Sequence, residues 1–178
     1  MSIKSQLAAR KAYAAHISGN RLYDEKKYDE ASREFEKALE LYRTAYDLGE
    51  RRARYMMAYS VLLMKRGQFQ ASHDVMIEIE KIKDRTADEK WQLRLNFAIC
   101  QWKMGKLDHA ITLMQQVASV RKTATVYGSL GYMLIEKAIQ TGDFSEADRF
   151  NAEAYEYDDE DAVTLDNLGQ LALAKGQR

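Results

Sequence analysis

Apolar and polar positions follow a helical period along almost the whole chain. In Tyr28–Leu41, YDEASREFEKALEL, the residues Ala31, Phe35, Ala38 and Leu39 share one face of a 3.6-residue helix. Asp29, Glu30, Arg33, Glu34, Glu36 and Lys37 fill the other face. The same periodicity predicts helices over Ile3–Tyr23, Tyr28–Leu48, Glu50–Arg66 and Phe69–Lys83, with Gly49 as the C′ residue of the second. Thr86-Ala87-Asp88-Glu89 is a capping box that opens a fifth helix, ending before Gly105. A sixth spans Leu107–Val120, and Thr123 N-caps a seventh. Asp143-Phe144-Ser145-Glu146 caps an eighth in capping-box fashion, and the last helix covers Ala162–Lys175. No strand is predicted.

These helices come in pairs with a recurring signature. Gly67-Gln68-Phe69 is followed by Ser72, Met76 and Ile79; Gly105-Lys106-Leu107 by Ala110, Met114 and Val117; Gly142-Asp143-Phe144 by Ala147, Asn151 and Ala154. The first copy has Gly19 upstream of Tyr28 and replaces the turn glycine with Lys26. A leucine–glycine pair recurs as Leu130-Gly131 and Leu168-Gly169. In register, these positions resemble the tetratricopeptide repeat, a helix–turn–helix unit of about 34 residues. Small residues let two helix axes approach, and a large apolar side chain opposite fills the gap. One such unit cannot bury its apolar face, so units stack. The resemblance implies an all-α fold: an α-solenoid, a right-handed superhelix of repeats at about 12–49, 53–85, 91–121 and 124–158 within one domain, 1–178. The final helix, 162–175, reads as a truncated fifth repeat. The competing reading is an unrelated helical bundle with coincident spacing.

The chain departs from the family in three places. It contains no proline, although the family usually carries one at the end of the second helix, where Arg43 and Asp159 stand here. Longer, less sharply broken helices are therefore expected at the junctions. Ala12 and Ala53 are 41 residues apart, and the excess over the family period predicts a second helix lengthened by two turns. Gly131 and Gly142 are eleven apart, against seven for Ser60 and Gly67. The seventh helix should therefore be one turn longer and project past its neighbours.

Charge narrows the function. The chain has 27 basic and 27 acidic residues, which is no footprint for nucleic acid. Arg51, Arg52 and Arg54, then Lys81, Lys83 and Arg85, and the acidic stretch Glu153–Asp161 read as solvated ends and loops. The single cysteine, Cys100, reads as a small buried hydrophobe. The N-terminal stretch is not a secretory signal, and no segment has the roughly 20 apolar residues of a membrane span. A cytoplasmic location without membrane contact is expected.

The chain carries no motif of a catalytic site. His16, His73 and His109 have no paired ligand spacing, so neither a metal nor a cofactor is expected. HExxH, GxSxG, GxxxxGK[ST] and CxxC are all absent. Gly128-Ser129-Leu130-Gly131 lies within a helix and is a packing stretch, not a phosphate loop. The chain is therefore read as no enzyme.

The resemblance implies a different site. In tetratricopeptide arrays the first helix of each pair lines a concave groove holding a peptide or partner helix. Here that face carries His16, Asn20 and Tyr23; Met57, Val61 and Met64; Leu95, Ile99 and Trp102; and Gly128 and Tyr132. An apolar, aromatic line of this kind suits protein recognition, unless helix rotation turns these residues into the core. One subtype of the family clamps an acidic peptide terminus with lysine, asparagine and arginine. At those positions this chain has His16, Asn20, Ala58, Gln92 and Asn96, and only Asn20 matches. The expected function is a non-catalytic interaction scaffold. The alternatives are a self-assembly module and a helical interaction domain of a larger signalling protein or enzyme. The last helix should turn Leu165, Leu168 and Ala172 inward, leaving Val163, Leu171 and Leu173 over. Truncation within a longer array explains those leftover residues, and homo-oligomer formation through the last helix is the alternative.

Overall fold

The computed structural model describes residues 2–176. Among them are nine helices and no strand: α1 (Ile3–Asp24), α2 (Tyr28–Asp47), α3 (Ala53–Lys65), α4 (Phe69–Glu80), α5 (Ala87–Lys103), α6 (Leu107–Val120), α7 (Ala124–Thr141), α8 (Ser145–Tyr157) and α9 (Ala162–Ala174). The chain forms two compact units, unit 1 ending at Leu93 and unit 2 starting at Arg94.

Within each pair the turn is closed by a left-handed residue: Lys26 at φ 61°, Gly67 at 72°, Gly105 at 78° and Gly142 at 78°. Glycine adopts that conformation without strain. Lysine does not, and Lys26 is the one non-glycine residue at positive φ among the described residues. The helices break sharply between pairs despite the lack of proline. Only three to six residues separate α2 from α3, α4 from α5, α6 from α7 and α8 from α9. At three of these four junctions the next helix is preceded by extended backbone, at Arg52, Thr123 and Asp161. Local hydrogen bonds then start the next one. Thr86 and Glu89 exchange backbone-to-side-chain bonds of 2.9 and 3.1 Å, and Thr123 Oγ1 accepts from Val126 N. Asp143 behaves differently from a capping box, accepting from Ser145 N at 3.0 Å, two residues on. Capping thus supplies the break that proline supplies elsewhere, and the expectation of smoothly joined helices fails. The lengthened second helix is present, since α2 has 20 residues against 12, 14 and 13 in α4, α6 and α8. Helix α7 has 18 residues, five more than α3 but only one more than α5.

In unit 1, α1 lies on α2 and α3 on α4. A Cβ placed on Gly19 would meet the Phe35 ring at 2.6 Å, so the glycine is required for that close approach. Ala12, Ala31 and Ala38 are fully buried at the same contact. In the second pair two serines take over, and Ser72 Oγ donates to the Ser60 carbonyl at 2.8 Å. The α2–α3 junction carries a buried acid. Glu50 Oε1 accepts from Arg51 N at 3.1 Å, Arg52 N at 2.9 Å and Arg52 Nε at 2.8 Å, and its other oxygen pairs with Arg52 Nη2. This fold-back is why α3 begins at Ala53 and not at Glu50 as the sequence predicts. Burial raises the Glu50 carboxyl, but the hydrogen bonds and charge of Arg52 outweigh it and the net shift is downward.

In unit 2, α7 is the central element, touching α6, α8 and α9. Its glycines admit the neighbours: a Cβ on Gly131 would meet Asn151 Oδ1 at 2.5 Å, and one on Gly128 would meet Val163 Cγ1 at 2.7 Å. Two buried amides bind backbone carbonyls at that glycine face. Asn151 Nδ2 donates to the Gly131 carbonyl at 3.3 Å and the Ala147 carbonyl at 2.9 Å, and Asn167 Nδ2 to the Gly128 carbonyl at 3.0 Å. The last contact fixes how α9 is rotated. Asp161 Oδ2 caps the helix at Thr164 N, 2.8 Å, and Thr164, Asn167 and Leu171 form the buried face. The predicted inward face of Leu165, Leu168 and Ala172 is therefore wrong: Leu165 is 47% exposed, while Leu171, expected to be left over, is 5% exposed.

Candidate functional site

Each unit carries an open cleft with an aromatic floor. In unit 1 it lies where the α1–α2 turn meets the end of α3. About 370 Å³ in volume, it is lined by Tyr23, Tyr28, Phe35, Ser32, Lys65 and Arg66. Tyr23 and Tyr28 are exposed and meet edge to face, with centroids 5.2 Å apart. Lys65 Nζ donates to Asn20 Oδ1 at 3.1 Å and stands 5.7 Å from the Phe35 ring centre. Arg66 reaches Glu36 at 3.1 Å and the Ser32 hydroxyl at 3.4 Å. Both charged lining residues are cations.

The other sequence-derived residues of unit 1 divide by depth. His16 is buried, with its ring edge-on to Phe35 and Tyr42 and its Nδ1 3.4 Å from the Tyr42 hydroxyl. Burial, and then the charge of Lys65, lowers its pKa from 6.5 to about 4. A histidine held neutral in this way is a packing residue. Met57 is buried at 8% exposure, while Val61 and Met64 are half-buried.

In unit 2, Trp102 at the end of α5 is half-buried and separates two clefts. One, of about 480 Å³, is lined by Trp102, Gly128, Tyr132, Asp161, Val163 and Asp166, among others. The other, of about 390 Å³, is lined by Trp102 with Gly105, Leu107, Glu136, Ile139 and Gln140. The indole is held on three sides. Its Nε1 donates to Glu136 Oε2 at 2.5 Å, the Tyr132 ring is tilted 55° with centroids 5.6 Å apart, and Lys103 Nζ is 3.8 Å from the ring centre. Ile99 and Tyr132 are half-buried and Leu95 is buried. Ile139 lies 60% exposed beside the second cleft. All charged lining residues of the two clefts, Asp161, Asp166 and Glu136, are acidic.

Sequence reasoning did not single out Glu136 or Arg66. A signal was available for Glu136. Trp102 in α5 and Glu136 in α7 are 34 positions apart. Residues one repeat apart stand side by side on successive helices of one class. Cys100 is fully buried, and its Sγ is 4.0 Å from the Met104 sulfur. No group of three His, Cys, Asp or Glu side chains able to hold a metal occurs among the described residues. Among the same residues no helix is long and apolar enough to cross a membrane.

The chain has the tetratricopeptide-repeat fold. A thermophilic TPR protein of Thermus thermophilus, TTC0263, is similar at a TM-score of 0.59 and 20% identity, over 92% of this chain and 98% of that one. PilF of Pseudomonas aeruginosa is similar at a TM-score of 0.59 and 16% identity, over 96% of this chain and 87% of that one. No family model and no curated protein matches the sequence.

Proposed function

We propose that the chain is a non-catalytic protein-interaction scaffold that holds a peptide or partner helix against the Trp102 surface of unit 2. One observation carries the reading. Trp102 is only half-buried, yet its indole is locked by Glu136, Tyr132 and Lys103 beside open clefts. A rigid aromatic anchor loses little side-chain freedom on binding, which is why tryptophan dominates interface hot spots. The nearby Ile99, Tyr132 and Val163 extend the apolar contact. Helical repeats serve this task because their stacked helices give a long surface with little buried chemistry of its own.

The test is a displayed library of random peptides selected on the purified protein. Trp102→Ala is expected to weaken the selected peptides by about 2 kcal/mol, roughly thirtyfold, with the melting temperature almost unchanged. If Trp102 serves only as core, the same change costs about 3–5 kcal/mol of stability and leaves the selected peptides bound. That outcome refutes the site and leaves the fold.

A further inference from the structure

We infer that the Trp102 surface selects a cationic side chain: the arginine or lysine of a peptide segment whose apolar neighbours rest on Trp102, Tyr132 and Val163. This rests on the scaffold reading above and names the chemistry of its partner.

Charge complementarity is the first argument. Asp161 and Asp166 line one cleft and Glu136 the other, and the cation beside them is Lys103, over the indole. Asp161 ends the stretch Glu153–Asp161, which holds six acids and no base. Part of that charge is already used. Glu153 pairs with Lys122 and accepts from the Tyr127 hydroxyl at 3.0 Å, Asp158 accepts from Glu160 N at 3.1 Å, and Asp161 caps α9. Asp166 projects from the first turns of α9 on its exposed side and adds its charge to the cleft wall.

The second argument is the indole itself. A tryptophan ring face attracts cations through its quadrupole, more strongly than tyrosine or phenylalanine. Here the ring demonstrably accepts one, since the Lys103 ammonium sits 3.8 Å from its centre. Glu136 takes the Nε1 hydrogen at the ring edge and so fixes the ring plane. Tyr132 presents a second π surface 5.6 Å away. Two aromatic rings bordered by carboxylates make an environment for a cation and a poor one for a carboxylate. The unit 1 cleft supplies the contrast, because its aromatic floor is rimmed by Lys65 and Arg66.

The random-peptide selection reads this directly. Trp102-dependent binders are expected to be enriched in arginine and lysine and depleted in aspartate and glutamate. In the strongest binder, resynthesised, replacing its basic residue by glutamine is expected to weaken binding about tenfold. That preference is expected to shrink as salt is raised. It should fall severalfold in Asp166→Asn combined with Glu136→Gln, a pair that keeps side-chain shape and a hydrogen-bond acceptor for Trp102 and leaves Asp161 and the indole in place. Trp102-dependent binders without basic enrichment overturn the cation proposal and leave the scaffold reading standing. Acidic binders, or a preference undiminished in the double variant, overturn it as well. Absence of any Trp102-dependent binder removes both.

Discussion

The α1–α2 pair of unit 1 and the α7–α8 pair of unit 2 use one helix–turn–helix template and solve its close contact in opposite ways. In unit 1 a glycine faces a large apolar ring, Gly19 against Phe35, and the gap is filled with hydrocarbon. In unit 2 the equivalent glycine, Gly131, faces Asn151, and the contact is closed by amide hydrogen bonds to helix carbonyls. The surfaces differ in the same spirit, with a cation-rimmed cleft in one unit and an acid-rimmed one in the other. The template specifies that a small residue meets something complementary; it leaves open whether that something is apolar or polar.

The hydrocarbon solution is the easier to break. Phe35→Ala leaves a void against Gly19, His16 and the Lys65 stem, and is expected to cost about 3–5 kcal/mol in chemical denaturation. A cost below about 1 kcal/mol would show that unit 1 closes over the void and that the ring is not its keystone.

Acid separates the units next. His16 is native in its neutral form, with its folded pKa at about 4 against 6.5 when free. Stability from this group is complete above pH 6.5, declines as pH falls, and is gone below about 4, a total of about 3 kcal/mol. His16→Gln should flatten the pH dependence of stability between pH 6.5 and 4. An unchanged slope in that variant would assign the acid sensitivity elsewhere.

The polar solution is tested by a single methyl group. Gly131→Ala drives its Cβ into Asn151 Oδ1 at 2.5 Å and Asn167 Nδ2 at 2.9 Å, so about 1–3 kcal/mol should be lost. Adding Asn151→Ser, which shortens the opposing side chain, should recover part of the loss; a purely additive double mutant would mean that the two residues do not meet.

The smallest effect is a gain. Lys26 occupies the left-handed position that glycine holds in the other three pairs. Lys26→Gly is expected to raise stability by about 1 kcal/mol, read from the denaturation midpoint. A loss instead would show that the lysine side chain holds the turn.

Most of the fold was legible in the sequence because helical periodicity and the turn glycines are local signals. Even Lys26 was placed correctly, since the register of the other three turns pointed to it. The junctions were less legible. Glu50 looked like the first residue of a helix, and only its buried bonds to Arg51 and Arg52 make it a stop. Among the groove residues, Trp102 and Tyr132 are brought together in unit 2, whereas His16, Met57 and Leu95 lie buried.

What the sequence determined alone, then, is the number, kind and order of the helices, the pairing of each with the next, and the small residues at their crossings. Those follow from backbone propensity and from steric limits at short range. The tertiary structure decided the rotation of each helix about its axis. A shift of one residue turns a side chain by about 100°, enough to exchange Leu165 for Leu171 on the buried face of α9. In α9 that rotation is set by the Asn167 bond to the Gly128 carbonyl, between residues 39 positions apart. The same long-range placement put Glu136 against Trp102 and gathered carboxylates around an indole, which no local window of the sequence contains.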